Sequence, residues 1–263
     1  MRSVLFDSQP DGELTADLWE FGTTGIIEEG DRLRAFFDDS TELQNLLNKY
    51  RSLELREEAP PDLSQFAHDN WDPILVGNKF FIAPSWVSDE IPPGRFRLSI
   101  DSTTAFGTGR HESTQLVLET LEEVLRPGQT VLDVGCGSGI LSIASLLLGA
   151  GAVFACDIAD VPNNPKVQGF VGSADCVRDQ AADIVLANIS ARVVDVIAAD
   201  LKRVMKPDGI LVLAGFIREN TPKRFRPVTI REKGDWLCWT CRVADIDAMR
   251  GPPPPQLHSQ QWW

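Results

Sequence analysis

The chain has 263 residues, 43% hydrophobic and 24% charged, with 38 acidic side chains against 25 Lys and Arg and a net charge of −13. This suits a globular chain with a sizeable core, either one large domain or a medium domain with a small one. So acidic a surface repels phosphate backbones, so no direct DNA or RNA binding is expected, and no apolar run nears the roughly 20 residues that span a bilayer. The same surface suits a basic protein partner. The opening MRSVLFDSQPDGE turns acidic without a signal-peptide apolar stretch, and the five cysteines are scattered and odd in number; the expected location is cytoplasmic.

In chain order, RSVLF reads as a strand, Leu14 to Phe21 as a helix and GIIEE as a second strand. A turn at Gly30-Asp31 leads to LRAFFD, a third strand. Ser40 and Thr41 open the helix STELQNLLNKY, with Leu43, Leu46 and Leu47 at helical spacing, and RSLELRE is a fourth strand. The order β-α-β-β-α-β is the split, ferredoxin-like arrangement. It carries no His, Cys or glycine-rich loop, so residues 1–57 are read as a docking domain without chemistry. EEAPP, from Glu57 to Pro61, begins a linker over 58–69.

Residues 70–250 form the second domain. DNWDPILVGNKFFIAPSW and RFRLSID supply short extended runs. From Gln129 the pattern alternates: TVLDVG, ILSIASLLLGA, AVFACD, ADIVLAN, VVDVIAADLKRVM and GILVLAG. Such alternation means a parallel sheet covered by helices, and VLDV, VFAC and IVLA are apolar enough for burial on both faces. Cys238 and Cys241 make a C-x-x-C inside DWLCWTCRV; with no second pair to complete a zinc site, the reading is strand packing, and no metal is expected. GPPPPQLHSQQWW, residues 251–263, reads as a tail without fixed structure.

GQTVLDVGCGSGILSIASL is strand, glycine turn and helix in succession. Gly135, Gly137 and Gly139 let backbone approach a ligand closely and aim helix N–H groups at it. Asp157 ends the next strand, where a carboxylate can take both hydroxyls of a ribose. The spacing is G-x-G-x-G rather than the G-x-G-x-x-G that cradles a pyrophosphate. With Asp133 inside the strand, VLDVGCGSG resembles the first motif of class I methyltransferases, whose ligand brings an ammonium and a carboxylate instead.

AFGTGRHEST (105–114) and LANIS (186–190) flank that loop. Together the three segments closely resemble the PrmA family of ribosomal protein methyltransferases, and the resemblance covers nearly the whole chain. It implies an α/β, Rossmann-like class I fold with a mostly parallel seven-stranded sheet behind a small ferredoxin-like domain. It further implies S-adenosylmethionine as cofactor, a large-subunit ribosomal protein as substrate, and cofactor contacts at Phe106, Thr108, Gly135, Gly137, Asp157 and Asn188. Asn188, at a strand end where cofactor meets substrate, offers a donor and an acceptor that suit steering an amine. His111 stands beside it as a second candidate catalytic residue, or equally as a cap for the helix beginning at Glu112. The reaction implied is in-line attack of a neutral amine on a sulfonium methyl.

The chain departs from the family twice. After Asp157 only IADVPNNPK precedes VQGFVG, and prolines 162 and 165 oppose the helix a parallel crossover usually uses. Cofactor affinity would weaken there, with Asp175 still placed to reach the adenine edge. After Gly215, FIRENTPKRFRP leaves little room for another helix, and its KRFR run reads as solvated. Arg110 fills the variable position of FGTG-x-H, at the mouth of the site. Competing readings are a diverged lysine methyltransferase with another protein substrate and a non-catalytic binding relative. A small-molecule methyltransferase is disfavoured by the N-terminal module.

Overall fold

The computed structural model describes residues 2–6, 14–15, 17–18, 21–29, 32–37, 43–50, 52–57, 72–99, 109–158, 161 and 164–247. Four strands, β1 (Arg2–Phe6), β2 (Thr23–Glu29), β3 (Arg32–Phe37) and β4 (Ser52–Glu57), form an antiparallel sheet in the order β2-β3-β1-β4. Leu14, Leu18 and Leu46 lie over it, Leu46 from helix α1 (Gln44–Lys49). They close a core with Val4, Phe6, Leu33, Ala35 and Phe37. Val4 and Phe6 on β1 and Leu33, Ala35 and Phe37 on β3 share one face by strand periodicity, although β1 and β3 are buried on both faces. Tyr50 donates to the Asp17 carboxylate, and Lys49 pairs with the same oxygen. The helix start at Ser40 and Thr41, the linker from 58 and the tail lie outside the described residues.

A three-stranded sheet, β5 (Ile74–Val76), β6 (Phe80–Ala83) and β7 (Phe96–Ser99), follows. It is tied to the next helix, α2 (Glu112–Val124), through Glu122, whose carboxylate accepts the backbone N–H of Asn78 and of Lys79, each at 2.9 Å.

The large sheet has seven strands: β8 (Thr130–Val134), β9 (Ala152–Asp157), β10 (Gln168–Val171), β11 (Ala182–Asn188), β12 (Met205–Ile217), β13 (Thr229–Lys233) and β14 (Trp236–Arg242). Their order is β10-β9-β8-β11-β12-β14-β13, parallel throughout except for β14. One core lies between the sheet and α2 with α3 (Ile140–Leu147); the other lies under α4 (Ala191–Val196) and α5 (Ala198–Val204). The order reverses between β8 and β11, and ligands of open α/β sheets bind beyond the carboxyl ends of strands at such a switch point.

Three local readings are refined. The run VVDVIAADLKRVM is two helices bent at Ile197. Ile197 N–H donates to Val193 O and Ile197 O accepts Leu201 N–H, so this one residue closes the first helix and opens the second. GILVLAG belongs to a longer strand beginning at Met205, with a register shift against β11 where Lys206 to Gly209 bulge outward. Cys238 lies in the core under α2 and Cys241 in the core under α4 and α5, on opposite faces of β14, so the two thiols cannot share a metal. Burial pushes both thiols up to about 12. Among the described residues no helix is long and apolar enough to cross a membrane.

Candidate active site

β8 runs straight into the glycine turn. Gly135 and Cys136 both donate their N–H groups to Cys156 O, at 2.8 and 3.1 Å, and Gly137 N–H donates to Asp157 Oδ2 at 2.9 Å. The end of β9 therefore holds the loop, and Asp157, only 4% exposed, is a loop anchor as well as the residue expected at a ribose. Gly135 has φ +71°, and a Cβ there would stand 2.5 Å from Ile189 Cγ2. Loop and β11 end are thus in direct contact, and any side chain at 135 would part them.

Ile189 is gripped from its other side too. Gly215, with φ +92°, sits at a register shift between β12 and β14, and a Cβ there would fall 2.7 Å from Ile189 O and 2.8 Å from Ile189 N. The segment leaving β11 is held between two glycines.

Asn188, the last residue of β11, is 6% exposed. Its Nδ2 donates to Thr114 Oγ1 at 3.2 Å, and its Oδ1 is buried without a hydrogen-bond partner among the described residues. Asp133 shows the same asymmetry. Ser142 Oγ donates to its Oδ2 at 2.6 Å, while the fully buried Oδ1 has no partner among the described residues. Burial pushes this carboxyl up to about 6 against the Ser142 bond, with the nearby Asp157 charge adding to the rise.

His111 caps α2. Its Nδ1 accepts Ser113 N–H at 3.3 Å and lies 2.8 Å from Ser113 Oγ, and the ring stands edge-on to Trp236 with centroids 4.3 Å apart. Burial pushes the imidazole down to about 4, so at neutral pH it is an uncharged ring suited to accepting the cap bond. Arg110, exposed, donates to Asp72 O at 2.8 Å. Asp175 lies exposed in a short turn at Ala174–Cys176. Phe106 and Thr108 lie outside the described residues.

The structure thus brings Gly135, Gly137, Asp157, Asn188 and His111 to the carboxyl ends of β8, β9 and β11 and the start of α2. Sequence reasoning missed three partners: Thr114 on Asn188, Ser142 on Asp133, and the glycine grip on Ile189. Thr114 ends the quoted AFGTGRHEST segment, so a signal for it was in view; Gly215 had only its place at the end of GILVLAG.

A cofactor of the expected kind fits these residues. Two buried acceptor oxygens without a partner among the described residues lie at adjacent strand ends, one on an ionisable carboxyl suited to an ammonium, beside a loop whose Gly135 has no room for a side chain. A family model described as ribosomal protein L11 methyltransferase (PrmA) matches residues 15–243. The chain belongs to the PrmA family. The ribosomal protein L11 methyltransferase of Deinococcus radiodurans is 31% identical over 258 residues, covering 87% of this chain and 93% of its own. That of Streptococcus equi subsp. zooepidemicus is 41% identical over 167 residues, covering 57% of this chain and 53% of its own, so the chain spans about half that relative's length. Among solved structures, the L11 methylase of Lactobacillus delbrueckii subsp. bulgaricus superposes with a TM-score of 0.57 at 26% identity, over 64% of this chain and 96% of that one. The seven-stranded sheet and its helices accordingly have the class I methyltransferase fold of the PrmA relatives.

Proposed function

We propose that this protein transfers methyl groups from S-adenosylmethionine to lysine or N-terminal amines of the large-subunit ribosomal protein L11. When bound, the cofactor supplies a methyl on a sulfonium, whose C–S electron pair stays on sulfur as the amine lone pair forms the C–N bond. The observation that carries the reading is Asn188: a held amide whose buried Oδ1 has no partner among the described residues, at a strand end beside the glycine loop.

Gly135 and Gly137 would give the cofactor backbone to lie against, Asp157 would take the ribose hydroxyls, and Phe106 and Thr108 would complete the cofactor contacts. Asp133 balances the ammonium. Asn188 Oδ1 accepts an N–H of the attacking amine and so orients the lone pair. A lysine amine with an unperturbed pKa near 10.4 must lose its proton before attack, which burial promotes and water completes. His111 serves by holding the start of α2 against this cluster. Residues 1–57 dock the substrate protein, and the work is cytoplasmic, where ribosomal proteins are made. The acidic surface matches a basic partner and turns nucleic acid away.

The test is label transfer from S-adenosylmethionine to purified L11 by the full chain. Label in L11, lost in Asn188→Ala, is expected; label in a different protein would remove L11 as substrate. A second reading, a binding module without catalysis, is favoured by one observation: no helix lies between β9 and β10 among the described residues. Absence of heat on titrating the cofactor to millimolar concentration would select that reading.

A further inference from the structure

We propose that Arg203 is a positioning residue that fixes the turn after β10 and thereby sets the preference of the site for an adenine-bearing cofactor. This rests on the S-adenosylmethionine reading above and adds the side chain that holds the far end of that site.

The strand order lays the cofactor out from the centre of the sheet toward one edge. Asp133 and Asn188 lie on β8 and β11, and Asp157, expected at the ribose, ends β9. β10 is the next strand outward, paired with β9 as far as Val171 and Asp157. A base extending outward from a ribose at Asp157 meets the turn that leaves β10. Gly172 N–H donates to Asp157 O at 2.8 Å, which fastens the near end of that turn. Asp175, exposed in it, offers a carboxylate that accepts from the exocyclic amine of adenine and opposes a carbonyl in the same place.

The far end of the turn is held from α5. All three guanidinium nitrogens of Arg203 donate. Nη1 donates to Val177 O at 2.6 Å and to Asp179 Oδ1 at 2.8 Å, and Nη2 to Ala174 O at 3.0 Å and Asp175 O at 3.3 Å. Nε and Nη2 also reach Asp200 Oδ1, at 3.2 and 3.1 Å, so the helix orients the fork it presents. The main chain follows the same path, with Gln180 N–H on Arg203 O at 3.0 Å and Ala181 N–H on Val204 O at 2.8 Å. A guanidinium is planar and rigid, so the three carbonyls that converge on it are fixed relative to one another. Those carbonyls bracket Asp175, and the buried Ala174 seats the turn in the core below. No helix lies between β9 and β10 among the described residues, so α5 is where this turn finds a covering helix.

The test uses the full chain and two probes, S-adenosylhomocysteine and S-inosylhomocysteine, the second with a carbonyl in place of the exocyclic amine of the base. Arg203→Met keeps the aliphatic stem and removes every donor, Arg203→Lys keeps the charge without the fork, and Asp175→Ala removes the carboxylate. The readouts are Kd for each probe by calorimetry, kcat and KM for S-adenosylmethionine, and thermal melting. The unaltered chain is expected to prefer the adenine probe by about tenfold or more. Arg203→Met should cut affinity for the adenine probe about tenfold, leave the inosine probe within about twofold, and raise KM with kcat held within about twofold. Arg203→Lys should fall between, and it carries the same comparison if Arg203→Met melts below the assay temperature. Adding Arg203→Met to Asp175→Ala should cost no further affinity, since the two act through one contact. Equal losses for both probes reduce Arg203 to a structural residue and overturn the proposal, as does an undiminished preference in Arg203→Met and Arg203→Lys. A preference that survives Asp175→Ala, or is missing from the unaltered chain, shows that the turn does not read the base and overturns the proposal while leaving the cofactor reading standing. Binding of neither probe by the unaltered chain overturns the cofactor reading and the proposal with it.

Discussion

Two segments leave the carboxyl ends of strands on either side of β8, and they are built in opposite ways. The one after β11 is gripped: Ile189 lies between Gly135 and Gly215 with no room for a Cβ at either, and Asn188 is tied to Thr114. The one after β9 is pared down to the residues from Ile158 to Val167, with Val161 and Val167 its footholds in the core. On the proposed function, the first segment meets the nucleophile and the second borders the cofactor's ribose. Alignment of reacting atoms tolerates little displacement, whereas a ribose can be held by few bonds. The difference teaches where this chain has kept tight packing and where it has shortened a crossover.

The hardest blow to the gripped side is Gly215→Ala. Its φ of +92° disfavours any L side chain, and the new Cβ would meet the Ile189 backbone, which cannot swing aside as a side-chain tip does. A loss of about 3 kcal/mol is expected from strain and overpacking together, read as a lower urea midpoint, along with most of the methyl transfer. A midpoint unmoved by the substitution would mean the grip is loose and the comparison wrong.

Nearly as large is a pH effect from two buried groups beside the gripped segment. Asp133 keeps its proton up to about pH 6 in the fold but only to 3.8 when free, so its contribution is full below 3.8 and lost as pH rises to about 6. His111 takes a proton near pH 4 in the fold but at 6.5 when free, so its contribution is full above 6.5 and lost as pH falls to about 4. Each is worth about 3 kcal/mol, and over the shared window the two slopes oppose. Asp133→Asn should therefore match the native protein near pH 4 and exceed it by about 3 kcal/mol at pH 7, exposing the His111 slope. A difference that stays flat with pH would show that ionised Asp133 carries no such cost. A cost of this kind, kept at neutral pH, is what a residue retained for a cationic ligand would show.

How much of this was legible follows from range. The strands and helices of the large domain are written in local periodicity, and the glycine turn, the acid ending β9 and the shortened crossover are each a contiguous run of residues. The contacts that fix the site are not contiguous: Asn188 reaches Thr114 across 74 residues, and Gly215 meets Ile189 through strand pairing. Propensity carries no information about which strand ends meet. His111 was ambiguous in sequence because a cap and a catalytic imidazole ask for the same residue before the same helix; the edge contact with Trp236 and the Ser113 bond display the cap. The bend at Ile197 was invisible because the apolar spacing runs through it unbroken.

On the pared side, Asp157→Ala tests whether the carboxylate serves both loop and ligand. It should weaken S-adenosylmethionine binding by roughly 1.5–3 kcal/mol for each charged hydrogen bond lost, measured by calorimetry. Because Gly137 N–H loses its acceptor as well, melting should fall together with affinity. Weaker binding without a lower melting temperature would assign Asp157 to the ligand alone, and the reverse would assign it to the loop.

The smallest effect belongs at the sheet edge. Val171 ends β10, pairs in register with Asp157, and is 65% exposed on a strand with no outer neighbour among the described residues. A surface substitution free of buried contacts stays within about 0.5 kcal/mol, so Val171→Thr should leave the urea midpoint in place. Edge strands that offer apolar side chains also invite pairing with other chains, so the same variant should lower any concentration-dependent association seen by light scattering. A midpoint that dropped by more than about 1 kcal/mol would mean Val171 is covered in solution, and that the crossover side is packed more closely than its short chain implies. The contrast between the two strand ends would then be one of length rather than of tightness.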